Sequence, residues 1–65
     1  MSPRLPRLTA AEAETLLLKA GFVLARSKGS HRIYTRASQR VVVPFHSGEM
    51  LHPKIVKEVL VAVGD

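Results

Sequence analysis

The 65 residues include no cysteine and no tryptophan, and only one tyrosine and two phenylalanines. Without cysteine there is no disulfide framework, no thiolate nucleophile and no cysteine-based zinc site, so a reducing, cytoplasmic setting is expected. Long apolar runs are also missing. The longest, Val59 to Val63, falls far short of the roughly 20 residues that a membrane span requires. The start, Met1-Ser2-Pro3-Arg4-Leu5-Pro6-Arg7, has basic residues but no apolar stretch behind them, which argues against a secretory signal. Acidic residues are absent from one long stretch: Phe22 to Gly48 contains neither Asp nor Glu.

What is present suits one small globular domain over residues 1–65, with residues 1–8 as a loose N-terminal arm. Apolar residues make up 46% of the chain, enough for a core, although a domain this short buries only about 60% of the surface its unfolded chain exposes. Ten Lys and Arg stand against five Asp and Glu, for a formal charge of +5. The acid-free stretch carries Arg26, Lys28, Arg32, Arg36 and Arg40, and the cations outside it balance the five acids. The whole net charge therefore belongs to one central segment. Such a field captures polyanions, and the planar guanidinium fork suits phosphate. A solvated basic face that only aids solubility is the competing reading.

Thr9-Ala10-Ala11-Glu12 has the form of a capping box. Behind it, Ala13, Leu16, Leu17 and Ala20 fall at i, i+3, i+4 and i+7, the stripe of an amphipathic helix, and Gly21 stands where such a helix ends. Three β-prone runs follow, Phe22 to Ser27, His31 to Arg36 and Arg40 to Phe45, separated by turns at Lys28-Gly29-Ser30 and Ala37-Ser38-Gln39. A loop at His46-Ser47-Gly48-Glu49 leads to Pro53, well placed at the first position of a second helix whose stripe is Val56, Val59, Leu60 and Val63. The expected class is α+β in the order α-β-β-β-α: a three-stranded antiparallel sheet with both helices on one face. The other face is left for water or a ligand. Alternation in the second strand assigns Ile33 to the core and Arg32, Tyr34 and Arg36 to the open face, a row suited to a ribose-phosphate chain. Leu18 and Val61 lie off their helical stripes and could together form a small apolar patch.

Three histidines are the candidates for chemistry, because imidazole takes and returns a proton near neutral pH. His31 follows a Gly-Ser turn among Arg26, Lys28 and Arg32, a possible base beside cations able to hold phosphate. It shares parity with Ile33, so a histidine packed inertly at the core edge is the alternative. His46 closes the third strand, and His52 is more simply a cap of the second helix. The spacing of the three matches no recurrent metal-ligand pattern, and neither a Walker nor a dinucleotide fingerprint is present. Ser30 and His31 are sequence neighbours, which a strand points opposite ways, so a Ser–His nucleophile pair is not expected.

Gly21-Phe22, Arg26-Ser27-Lys28-Gly29-Ser30-His31-Arg32-Ile33-Tyr34 and Val41-Val42-Val43-Pro44-Phe45-His46, in that order and spacing, resemble the HicA (YcfA-like) mRNA interferase toxins of type II toxin–antitoxin systems. The resemblance runs from the first helix to the second. Leu51-His52-Pro53 departs from the Gly-Thr-type start common in that family's second helix. The resemblance implies a double-stranded-RNA-binding-domain-like fold, an endoribonuclease that cleaves mRNA, and a HicB-like antitoxin that neutralises it. It places the catalytic histidine of Gly-Ser-His at His31.

The expected mechanism is metal-independent and needs no cofactor. His31 is the general base, Lys28, Ser30 and His46 are possible auxiliaries, and Arg26, Lys28, Arg32, Tyr34, Arg36 and Arg40 bind single-stranded RNA. The alternative is a non-catalytic RNA-binding module of the same fold.

Overall fold

The computed structural model describes residues 6–46 and 49–64. Its order is α1 (Ala10–Lys19), β1 (Val23–Lys28), β2 (His31–Arg36), β3 (Gln39–Pro44) and α2 (Pro53–Ala62). The three strands form one antiparallel sheet in sequence order. The expected class and element order are therefore observed, with strand ends moved by a residue. Ser47 and Gly48 of the expected loop, and residues 1–5 of the expected arm, lie outside the described residues.

Local chemistry sets the helix ends. Thr9 Oγ1 accepts from the Glu12 amide at 3.2 Å, and Glu12 Oε1 accepts from the Thr9 amide at 2.8 Å, closing the capping box. At the other end of α1, Gly21 donates to Leu18 and Phe22 donates to Leu17. This paired bond pattern requires a left-handed residue at the first position after the cap, and Gly21 has φ of 96°. The same turn drops Phe22 onto Leu17, and both are buried. Helix α2 begins with His52 Nδ1 accepting from the Lys54 amide at 3.0 Å, and Pro53 occupies the first helical position. His52 is thus a cap, as its place in the sequence indicated.

Each helix lays its stripe on the same sheet face. Ala10, Ala13 and Leu17 of α1 and Val56, Val59 and Ala62 of α2 form one core cluster with Phe22, Tyr34, Val41, Val43 and Leu51. Fully burying an aliphatic or aromatic side chain of this kind stabilises by about 1.5–3 kcal/mol. The segment before α1 is held to the rest of the fold: Leu51 donates to the Leu8 carbonyl at 2.8 Å, and Thr9 bridges Met50.

The hairpins fix the register. Lys28 faces His31 across the two-residue turn Gly29-Ser30, and Gly29 supplies the positive φ of 60° at the first turn position. Arg36 faces Gln39 across Ala37-Ser38, where Ala37 takes φ of 53°, a conformation that a Cβ makes costly.

Candidate active site

Register assigns every strand residue to one of two faces. Tyr34 pairs with Val41 and Arg32 with Val43, so Arg32, Tyr34 and Arg36 lie on the helix-covered side. His31, Ile33 and Thr35 lie on the open one. This reverses the facing expected from the sequence. Tyr34 is wholly buried at 0% exposure, in the cluster with both helices. Ile33, at 8%, sits in the middle of the open face and outside that cluster. A buried Tyr34 ring is not available to stack on a base.

The physical reason lies on α1 and at the helix ends. Glu14 accepts from the Tyr34 hydroxyl and, at 2.9 Å, from Arg32 Nη1. The Arg32 guanidinium also stacks on the Phe45 ring, 4.1 Å from its centroid. Arg36 reaches between the two helix C-termini. Its Nη1 donates to Ala20 O at 2.6 Å and its Nη2 to Ala62 O at 3.1 Å, while Gln39 Oε1 accepts from both Nε and Nη2. The same guanidinium lies over Phe22, 4.5 Å from the centroid. Polar tips that find partners of this kind can be carried on a core-facing strand side. Arg32 and Arg36 are therefore structural clamps in this fold.

The Glu14–Tyr34–Arg32 group sets a pH dependence of stability. The Tyr34 hydrogen bond holds the Glu14 carboxyl below its ordinary 4.5; burial opposes this and Arg32 adds to it. Burial, helped by the Glu14 carboxylate, raises the Tyr34 phenol well above its ordinary 10.0. A depressed carboxyl contributes stability above its unfolded value, and that contribution is lost as pH falls through the folded value. A raised phenol contributes below its unfolded value and loses the contribution as pH climbs toward the folded one. Urea midpoints should therefore plateau at intermediate pH, falling below 4.5 and above 10.0. Glu14→Gln should flatten the acid limb and Tyr34→Phe the alkaline one, there being no other tyrosine in the chain. Limbs of unchanged steepness in the two variants would show that this group does not govern the profile.

The open face reads as three cross-strand rows. Lys28, His31 and Pro44 form the first, Arg26, Ile33 and Val42 the second, and Val23, Thr35 and Arg40 the third. Directly opposed residues have Cβ atoms about 4.5–5.5 Å apart, so Lys28 stands beside His31. His31 is exposed rather than packed inertly into the core edge.

Arg26 and Lys28 owe their place to an irregularity between Leu24 and Arg26. Leu24 pairs with Tyr34 on the helix side, and simple alternation would put Arg26 there as well. The extra residue, Ala25, turns Arg26 and Lys28 to the open side, the kind of re-aiming that bulges perform. Among the described residues, the side chains of Arg26, Lys28 and Arg40 make no hydrogen bond or ion pair. The sequence places these cations in the right segment. Which of the five are free is set by the bulge, by Glu14, which holds Arg32, and by the helix ends that hold Arg36.

Ser30 and His46 are the remaining candidates. Ser30 is exposed, and its carbonyl accepts from the Phe45 amide at 2.7 Å. That bond extends the β2–β3 ladder past Pro44 to Phe45, the residue before His46. His46 lines a groove of about 310 Å³ together with Pro44, Glu49, Met50, Leu51 and His52. No group of three His, Cys, Asp or Glu with metal-binding geometry is found among the described residues. None of the described helices is long and apolar enough to cross a membrane. The arrangement is an exposed imidazole at one end of an open pleated face, with Lys28 beside it, Arg26 in the next row and Arg40 at the far edge.

A family model described as HicA toxin of bacterial toxin–antitoxin matches residues 10–64, the span from the first residue of α1 to Gly64. No curated protein and no solved structure matches the chain.

Proposed function

The chain belongs to the HicA toxins of bacterial toxin–antitoxin systems, and on that premise we propose that it is an endoribonuclease cleaving single-stranded mRNA without metal, with His31 as general base. The observation that carries this reading is the exposed His31 imidazole on the open sheet face, in register with Lys28 and one row from Arg26. A base must stand within reach of its proton and beside groups that hold the reacting phosphate.

In the proposed reaction, neutral His31 takes the proton of a ribose 2′-hydroxyl while the 2′-oxygen attacks the adjacent phosphorus. The bond from phosphorus to the 5′-oxygen breaks, leaving a 2′,3′-cyclic phosphate and, once a proton is delivered, a 5′-hydroxyl. Lys28 and Arg26 stabilise the charge that builds on the non-bridging oxygens. His46, which follows the Phe45 that bonds to Ser30, or His31 returning its own proton, serves the leaving oxygen. Ser30 is the proposed hydrogen-bonding auxiliary to the phosphate. Arg40 holds the strand at the opposite edge. The proposed RNA contact leaves out Tyr34, buried with its hydroxyl on Glu14, and Arg36, bonded at both helix ends, while Arg32 is held by Glu14 through Nη1. A HicB-like antitoxin is the proposed neutralising partner, and the bacterial cytoplasm the proposed setting.

The test is to incubate purified protein with a long single-stranded RNA in EDTA and map the new ends. Cuts bearing 2′,3′-cyclic phosphate and 5′-hydroxyl termini are expected. A substrate with 2′-deoxyribose at the scissile nucleotide should resist, because the nucleophile is gone. Cutting of that substrate at the ordinary rate would exclude the 2′-hydroxyl route, and intact RNA bound but never cut would make the protein a binding module.

A further inference from the structure

The two edges of the sheet are not equivalent. β1 is interrupted by its bulge, a feature that discourages pairing with a further strand. β3 runs without irregularity from Gln39 to Pro44. The amide of Phe45 bonds to Ser30, which makes residues 39, 41 and 43 the ones whose backbone groups pair with β2. The N–H and C=O groups of Arg40 and Val42 therefore point away from the sheet. Neither residue makes a backbone hydrogen bond outside the ladder among the described residues. Pro44, without an N–H, closes off the end of this edge nearest His31.

Beside this edge lies a groove of about 570 Å³ between β3 and α2, lined by Gln39, Arg40, Val41, Lys54, Lys57, Glu58, Val61 and Ala62. Lys54, Lys57, Glu58 and Val61 fall at i, i+3, i+4 and i+7, so α2 turns a second stripe to the groove besides the one that it buries. Val61 is 64% exposed there, which explains its place off the core stripe. Leu18 does not line this groove. Three cations and one acid give the groove a net positive charge.

We infer that this groove and the free β3 edge receive an extended, acidic polypeptide segment of a protein partner, which adds as a fourth strand. The backbone of such a segment would satisfy Arg40 and Val42, the carboxylates on the face that it turns to α2 would meet Lys54 and Lys57 beside Val61, and the alternate apolar side chains would lie on the open face. RNA fits less well. The groove has no aromatic residue on which a base could stack, and its edge asks for alternating donors and acceptors at strand spacing. A second copy of this chain would bring the same cations to the same edge, and like charges oppose that pairing. The inference does not depend on RNA cleavage or on the role of His31, and its test reads neither.

The test uses the full chain labelled with 15N and a capped synthetic peptide that alternates Glu with Val and Thr. On saturation, amide exchange at Arg40 and Val42 should slow at least about tenfold, and the Lys57 and Val61 resonances should shift. The double variant Lys54→Glu, Lys57→Glu should weaken binding about tenfold. A peptide with Lys in place of each Glu should not bind. The inference is overturned if Arg40 and Val42 stay unprotected at millimolar peptide, or if the lysine peptide binds equally. It is also overturned if an oligouridylate shifts Lys57 and Val61 where the acidic peptide does not.

Discussion

Replacing His31 by alanine is expected to lower the rate of RNA cleavage by about 10²–10⁴-fold, the usual cost of losing a positioned base, equivalent to about 2.7–5.5 kcal/mol of barrier. The fold should survive. His31 is exposed at the start of β2, and its side chain makes no hydrogen bond among the described residues. The melting temperature and the affinity for a non-cleavable RNA should therefore stay near those of the parent protein, separating chemistry from binding. Arg40→Ala, at the far edge of the same face, should do the reverse: weaker binding, a salt slope smaller by about one, and modest loss of rate. The readout is single-turnover cleavage at saturating protein alongside binding of a fully 2′-deoxy-substituted strand. A His31→Ala protein that cuts as fast as the parent removes this residue from the mechanism, and one that loses binding in proportion to rate makes His31 a contact residue.

Arg36→Ala is expected to have the largest effect on stability. One guanidinium closes the C-terminal ends of both helices at Ala20 and Ala62, is braced by Gln39, and lies over Phe22. Hydrogen bonds to a charged donor contribute about 1.5–3 kcal/mol each, and a cation at a helix C-terminus adds about 0.3–1 kcal/mol. These terms overlap, so a loss of about 2–4 kcal/mol is expected. A domain of this size has about 3–10 kcal/mol in all. Since about 1 kcal/mol moves the melting point of a small domain by about 4–8 °C, the variant should melt at least about 10 °C lower. Arg36→Lys keeps the charge but cannot hold two carbonyls and the Gln39 amide together, and should recover less than half of the loss. Thermal denaturation followed by circular dichroism measures both. An unchanged melting point with weakened RNA binding would return Arg36 to the nucleic-acid interface.

These two residues mark how far the chain can be read from its sequence. Much of the candidate site was legible: the Gly29-Ser30 turn, the histidine after it, the acid-free cationic stretch and the Val43-Pro44-Phe45-His46 strand exit all bear on local structure or composition. The facing of β2 was not legible. Ile33 and Tyr34 are adjacent large residues on opposite sides of one strand, and Val41, Val42 and Val43 supply an apolar partner to either. Alternation reports that two faces exist without saying which one the helices cover.

Local sequence by itself determined the elements and their ends. The Thr9–Glu12 box, the glycine stops at Gly21 and Gly64, Pro53 behind His52, and the two-residue hairpins follow from bonds between residues a few positions apart, and need no distant partner. Tertiary structure alone decided which arginines are free. Glu14 draws Arg32 and Tyr34 inward across separations of 18 and 20 residues, and the helix ends at Ala20 and Ala62 hold Arg36 across 16 and 26. The bulge at Ala25 sends Arg26 and Lys28 to the side of His31. A charged side chain goes where its partners are, and those partners are brought within reach only when the helices pack on the sheet.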